Sequence, residues 1–467
     1  MMRMSDKLLI ATFVLLLVLI AIKEFYIPLP PVKDSKELVV VTSNGPNTYY
    51  LEDEDRYAGF EYDLARAFAK FLGSDYRVRF VVHEKLSNVL TSLIDGKGHI
   101  AAANLSITPE RERFVKFGPA YLDVQQHVVF NSETQNAPET VADLVGKHIE
   151  VPLGSSYAER LQRISEQHPT LGWHANKRAN TEELVEQVCA GTLDYTVADD
   201  LMASLLQNYY PNLGLGFALG EAERLAWAFP RDGDPWLYQQ SIAFFEKIKA
   251  NGELKKLVDR YYGHIDRLNP ADVTKFLGMM RTTLPKYARL FKQAQEVTGL
   301  DWRLIAAISY QESHWDQNNT SPTNVRGLMM LTEQTADSMG VTDRLDPKQS
   351  VMGGSQYLIQ LKERLSGKIE EPDRTWMTLA AYNIGLSHLE DARILTQRLG
   401  RNPNNWSDVK ATLPLLNKAQ YYSSLKSGYA SGGAPVIFVE SIRTYHSILT
   451  RYMPEYQPGF PILNLFN

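Results

Sequence analysis

Hydrophobic and polar positions along the chain fall into three textures. Residues 8–22, "LLIATFVLLLVLIAI", are an uncharged apolar run preceded by Arg3 and Lys7. From Glu37 to about Asp266, short β-branched runs alternate with helix-period segments. "ELVVVTS" reads as a strand closed by the turn-forming "NGPN". "FEYDLARAFAKFLG" sets Phe60, Leu64, Ala67, Phe68 and Phe71 at helical spacing, with Gly73 as the stop. "YRVRFVVH" alternates as a strand, "LSNVLTSLIDG" has a helical period, and "GHIAAANLS" is a further strand. The same texture returns in "GKHIEVPLGSSYAERL" and "TLDYTVADDLMASLL". This βαβα order predicts two α/β lobes with parallel sheets and a cleft between them. After Arg267 the strands stop. "PKYARLFKQAQEVTG", "DWRLIAAISYQES", "TEQTADSMG", "DPKQSVMGGSQYLIQLKERL", "TWMTLAAYNIGLSHLEDARIL" and "APVIFVESIRTYHSILTRY" all have helical periods. Gly299 ends one helix and Asp301 is placed to N-cap the next.

The apolar run near the start, with its basic flank, has the form of an export signal. It is shorter than the about 20 residues of a spanning helix, although Phe25, Tyr26 and Ile27 extend it. No A-x-A cleavage site follows cleanly, and no cysteine is placed for a lipid anchor. "YIPLPPVKDSK" is a Pro-rich spacer. The expected division is an export signal or N-terminal membrane segment at 1–30, a linker at 31–36, a two-lobed α/β module at 37–266 and an all-α domain at 267–467.

Composition narrows the function. A net charge of -5, from 49 Lys+Arg against 54 Asp+Glu, leaves no general surface for polyanions, so nucleic acid is not an expected partner. A single cysteine, Cys189, excludes an intrachain disulfide framework and a cysteine zinc cluster. In "ELVEQVCAGTLDY" it reads as a small core residue. The ten histidines show no H-E-x-x-H spacing, so neither metal nor cofactor is expected, and His314 reads as a surface residue.

One acid stands out. Leu304, Ile308 and Glu312 lie at i, i+4 and i+8, so Glu312 continues an apolar stripe flanked by Trp302 and Ile305, and "SHWD" marks the end of that helix. A carboxyl at an apolar wall is destabilised as an anion and holds its proton near neutral pH, as a general acid must. The plainer alternative is a helix-terminal glutamate bonded to the backbone or paired with an arginine.

"YQESHWDQNNTSPTNVRGLMMLT" followed by "LAAYNIG" resembles the catalytic domain of lytic transglycosylases, the goose-lysozyme-like enzymes that cut peptidoglycan. The resemblance covers roughly residues 290 to 450. It implies that Glu312 protonates the glycosidic oxygen between N-acetylmuramic acid and N-acetylglucosamine. The sugar's acetamido group assists, and its 6-hydroxyl attacks intramolecularly to leave a 1,6-anhydro end. No second carboxylate acts as nucleophile; Asp316, the only other acid nearby, sits at the end of the motif. The tethered nucleophile gains from fixed geometry. The resemblance further implies substrate contacts at Ser321, at Gly327, Leu328, Met329 and Met330, at Tyr382 and Asn383, and at Tyr445. Met330 stands where the family has glutamine, and Asn324 where it has glycine; asparagine tolerates a left-handed backbone. For Tyr445 and Asn383, helix packing is the alternative.

"GFEYDLARAFAKFLG", "NLSITPERERFVKFGPAY" and "AFPRDGDPWLYQQSIAFFEKIKANGELKKLVDRYYG" resemble the amino-acid-binding, type-3 solute-binding proteins over residues 37 to 265. A free amino acid offers a carboxylate, best held by a guanidinium, and an ammonium. The resemblance implies that Ser106 and Arg111 take the carboxylate, together with Ser155 and Ser156 at a helix start after Gly154, and that Asp199 takes the ammonium. The alternative for Arg111, among Glu110, Glu112 and Arg113, is a solvated helix face. Gly118 replaces the family's serine.

The expected architecture is thus an α/β two-lobed periplasmic-binding-protein-like module followed by an all-α lysozyme-like domain. The expected function is a peptidoglycan lytic transglycosylase, regulated by an amino acid or cell-wall peptide bound in the front module. The order of parts resembles membrane-bound enzymes of this kind and implies the periplasmic face of the outer membrane, with the signal cleaved or kept as an anchor. Two rivals are a lysozyme-type hydrolase and a periplasmic amino-acid or peptide sensor whose helical domain only grips glycan.

Overall fold

The computed structural model describes residues 29–45, 47–53, 56–265 and 268–457. Residues 1–28 of the expected export segment and the expected boundary at 266–267 lie outside that range. No helix among the described residues is long and apolar enough to cross a membrane. The expected linker is in part a single helical turn, Val32–Ser35, whose Val32 is buried in the core. The apolar side chain overrides the spacer-like composition around it.

The first lobe is a five-stranded sheet. Its strands are β1 (Glu37–Ser43), β2 (Arg77–His83), β3 (Ile100–Ala101), β4 (Val115–Phe117) and, returning after the second lobe, a strand at Ala228–Pro230. The order is β2-β1-β3, then Ala228–Pro230, then β4. β1 runs parallel to β2 and β3, whereas Ala228–Pro230 runs antiparallel to β3 and β4. Helix α1 (Phe60–Leu72) buries Phe60, Leu64 and Phe68 on one face. Phe68 packs against Trp227 and Phe244, both fully buried.

The second lobe corrects the all-parallel expectation. Its strands are β5 (Gln126–Asn131), β6 (Glu150–Pro152), β7 (His174–Asn176), β8 (Thr196–Asp199) and β9 (Leu213–Ala218). β6 and β7, joined through helix α2 (Ser156–Gln167), are parallel. β5, however, pairs antiparallel with both β8 and β9. It enters from the first lobe rather than through a helical crossover, so the βαβ rule does not govern its direction. Helix α3 (Thr181–Cys189) covers this lobe, and burial pushes the Cys189 thiol up to about 12, as suits a packing residue.

After α4 (Glu253–Tyr262) and a helix at Pro270–Thr282, the rest of the described chain is helical apart from isolated bridges. Helix α5 (Leu284–Thr298) ends at Gly299, whose φ is 72°. Asp301 accepts the Arg303 N–H at 2.8 Å to cap α6 (Trp302–Ser313). Further on lie α7 (Pro347–Arg364), α8 (Asp373–Ile384) and, last, α9 (Gly433–Tyr452). The segment read as one helix from Thr375 onward is broken: α8 stops at Gly385, with φ 89°, and a new helix runs Leu386–Arg398. A glycine in that conformation ends a helix that hydrophobic period alone would continue.

Candidate active site

Helix α6 is buried on all sides from Trp302 to Tyr310, not along a stripe. It is the central helix of its domain, wrapped by α5, α7 and α9. Glu312 lies in its last turn, where the helix emerges, and is only partly exposed. Burial alone pushes its carboxyl up to about 8, with no hydrogen bond or charge among the described residues offsetting the desolvation. That excludes the plainer reading of a glutamate paired with an arginine. His314 and Trp315 follow in left-handed conformation, φ 53° and 58°, and turn the chain out of the helix. His314 and Asp316 are exposed.

The loop after α6 is tied to that last turn. Ser309 and Ser313 donate to the Leu328 carbonyl, each at 3.0 Å. Ser350 of α7 accepts the Met329 N–H at 3.1 Å. Gly327 has φ 85°, and a Cβ there would lie 1.9 Å from the Arg344 carbonyl, so only glycine closes the loop. Met330 and Asn324 also adopt positive φ, 47° and 61°, and Asn324 takes the conformation expected of a glycine substitute. The Tyr382 hydroxyl on α8 donates to the Met329 carbonyl at 2.7 Å. Its own ionisation is pushed far up, first by burial and then by the Glu312 charge, which places the two side chains in one electrostatic environment. Ser321 spends its hydroxyl within its own loop, accepting the Val325 N–H at 3.1 Å. Asn383 is exposed at the end of α8. Tyr445 is buried in an aromatic cluster with Phe276 and Tyr310, at ring distances of 4.5 and 4.8 Å. It thereby touches α6 two residues before Glu312.

In the front module, Arg111 is not on a solvated face: it is only 4% exposed. Its guanidinium donates to Glu159 at 2.9 Å and to the Ser106 and Gly154 carbonyls. The Ser106 and Ser156 hydroxyls meet at 3.2 Å. Ser155 is consumed as the N-cap of α2, accepting the Ala158 N–H. Asp199 accepts from the Tyr157 hydroxyl at 2.8 Å and from the Met202 N–H, and burial raises its carboxyl. Ser106, Arg111, Ser155, Ser156 and Asp199 all line one cavity of about 1190 Å³, which reaches α9 at His446, Ser447 and Arg451.

Helix α9 joins the two halves. Arg443 donates to the Asp259 and Arg260 carbonyls of α4 at 2.8 and 3.0 Å, and to Glu440 at 2.8 Å. Thr444 donates to the His264 carbonyl at 2.9 Å. Toward the second lobe, Ser447 meets Tyr209 at 3.0 Å and Arg451 pairs with Glu182.

A family model described as "Bacterial extracellular solute-binding proteins, family 3" matches residues 38–264. Another, "Transglycosylase SLT domain", matches residues 289–405. Membrane-bound lytic murein transglycosylase F of Methylobacillus flagellatus is 55% identical over 459 residues, 98% of this chain and 97% of the relative. The protein of the same name from Nitrosospira multiformis is 45% identical over 462 residues, 99% and 96% of the two chains. The chain belongs to the membrane-bound lytic murein transglycosylase F family. It is a lytic transglycosylase acting on peptidoglycan, with a solute-binding-protein-like α/β module ahead of a helical catalytic region. Among solved structures, the P235GK mutant of ArgBP from T. maritima aligns with 50% of this chain and 97% of its own, at 21% identity and a TM-score of 0.45.

Sequence reasoning missed the residues that hold this family's loop in place. Ser309 and Ser313 sit at i and i+4 of a helix buried from Trp302 to Tyr310, and that spacing was the available signal. Ser350 and Glu159 had none, because their partners are 21 and 48 residues away.

Proposed function

We propose that Glu312 is the general acid and base of the transglycosylase reaction. It gives its proton to the glycosidic oxygen as the C1–O bond breaks. The acetamido oxygen shields C1, the 6-hydroxyl adds there, and Glu312 takes back the hydroxyl proton. The 1,6-anhydro end forms without net water. The observation that carries this reading is the unopposed burial of Glu312, which keeps the carboxyl protonated at neutral pH. A two-carboxylate hydrolysis is disfavoured because Asp316, the other acid of the motif, is exposed beyond the helix end. The loop at Gly327, Met329 and Met330, with Ser321, Tyr382, Asn383 and Tyr445, would line the glycan groove.

The 37–266 module acts as a receptor that regulates the 267–467 domain, for an amino acid or cell-wall peptide. Helix α9 supports this, since it touches both lobes on one side and α6 through Tyr445 on the other. A ligand regulates only by binding one arrangement of the lobes better than another. The enzyme is membrane-associated at the periplasmic face of the outer membrane. Mass spectrometry of muropeptides released by the wild type and Glu312→Gln tests the chemistry. Anhydro products lost in the variant are expected. Reducing-end products, or unchanged turnover in the variant, refute it.

A further inference from the structure

The front module's expected amino-acid site already contains a carboxylate. Arg111 of the first lobe and Glu159 of the second meet at 2.9 Å, with side chains 4% and 19% exposed. The guanidinium also donates to the Ser106 carbonyl at 3.2 Å and to the Gly154 carbonyl at 3.1 Å. Asp199, the expected ammonium partner, receives instead the Tyr157 hydroxyl. Tyr157 and Glu159 belong to the first turn of α2, so one turn of helix supplies both an anion and a hydrogen-bond donor. The second Glu159 oxygen is buried without a hydrogen-bond partner among the described residues, so the carboxylate is held there by Arg111.

Resting on the reading of this module as a receptor, we infer that Glu159 is a specificity residue: its carboxylate fills the anion socket at Arg111, latches the two lobes and excludes free α-amino acids. An incoming carboxylate would have to share a guanidinium whose charge is already matched, or expel Glu159 and leave it buried and unpaired. Breaking a buried pair in that way is strongly unfavourable. A free amino acid, with only two charged groups, has nothing further to offset it. The cavity beside Arg111 has a volume of about 1190 Å³, far more than an amino acid fills. That volume runs past α9 to Lys362 and Glu371 of the helical region, so a larger ligand has other walls to grip.

Thermal unfolding of the full chain, titrated with millimolar acetate, glycine or L-arginine, tests this. The wild-type Tm is expected not to move. Glu159→Ala exposes the socket: its Tm falls, and acetate or glycine restores it by several degrees, while Glu159→Asp, which keeps the charge, needs less rescue. A wild-type Tm that rises with glycine or L-arginine overturns the inference, as does a folded Glu159→Ala that ignores all three. If the alanine variant fails to fold, Glu159→Ser is titrated in its place under the same two criteria. The receptor reading fails separately, if cell-wall peptides leave both Tm and turnover of the wild type unchanged, because the rescue of Glu159→Ala does not depend on that result.

Discussion

Glu312→Gln separates the two consequences of a buried acid. Burial moves the carboxyl from 4.5 to about 8, so between those values the folded chain holds a proton that the unfolded chain releases. The stabilisation from this raised pKa is fully present below 4.5 and is lost as pH rises through about 8. At about 1.36 kcal/mol per pH unit, the loss relative to acid pH reaches roughly 4 kcal/mol at about pH 7.5. Glu312 is partly exposed, so about half of that, roughly 2 kcal/mol, is the realistic figure. Glutamine has the same shape and does not titrate. The variant is therefore expected to match the wild type near pH 4 and to melt about 4–8 °C higher near pH 7.5, with peptidoglycan turnover abolished. Calorimetry across that range, beside muropeptide release, reads both. A Tm difference independent of pH would show that Glu312 is not desolvated. A less stable variant at neutral pH would show that its charge has a partner. Retained turnover would remove it from the chemistry.

Three further outcomes follow from the packing. Gly327→Ala drives a Cβ against the Arg344 carbonyl at a positive φ, and is expected to cost about 2 kcal/mol or more and to disorder the 327–330 loop, read as a lower Tm and lost turnover. Arg443→Met removes the buried guanidinium that bonds the Asp259 and Arg260 carbonyls and Glu440 at the junction of the two halves, leaving Lys410 as the cation beside both carboxylates. It is expected to cost about 3 kcal/mol and to split calorimetric unfolding into two transitions; a single transition at an unchanged Tm would refute the role given to α9. Tyr382→Phe removes the bond to the Met329 carbonyl, at about 1 kcal/mol. It should leave the alkaline limb of the pH–rate profile in place, because that limb belongs to Glu312 and Tyr382 keeps its proton there.

What the sequence revealed and what it concealed divide along contact range. The α/β texture, the ends of α6 at Asp301 and "SHWD", and the position of Glu312 in its last turn all depend on residues within a few positions of one another, and periodicity reports such neighbours directly. The sheet directions of the second lobe do not, because β5 arrives from another lobe. The break at Gly385 is local, but there one backbone conformation outweighs an unbroken hydrophobic period. The same limit applies to the two candidate sites. The burial of Glu312 was legible because it continues the apolar period of the helix whose last turn carries it. The partner that the structure gives Arg111, Glu159, lies across the cleft, where neither local spacing nor periodicity reports it. An acid that continues the apolar period of its own helix can be read from a line of text. A charge matched across a cleft cannot, and the ligand of such a cleft has to be sought by titration rather than by motif.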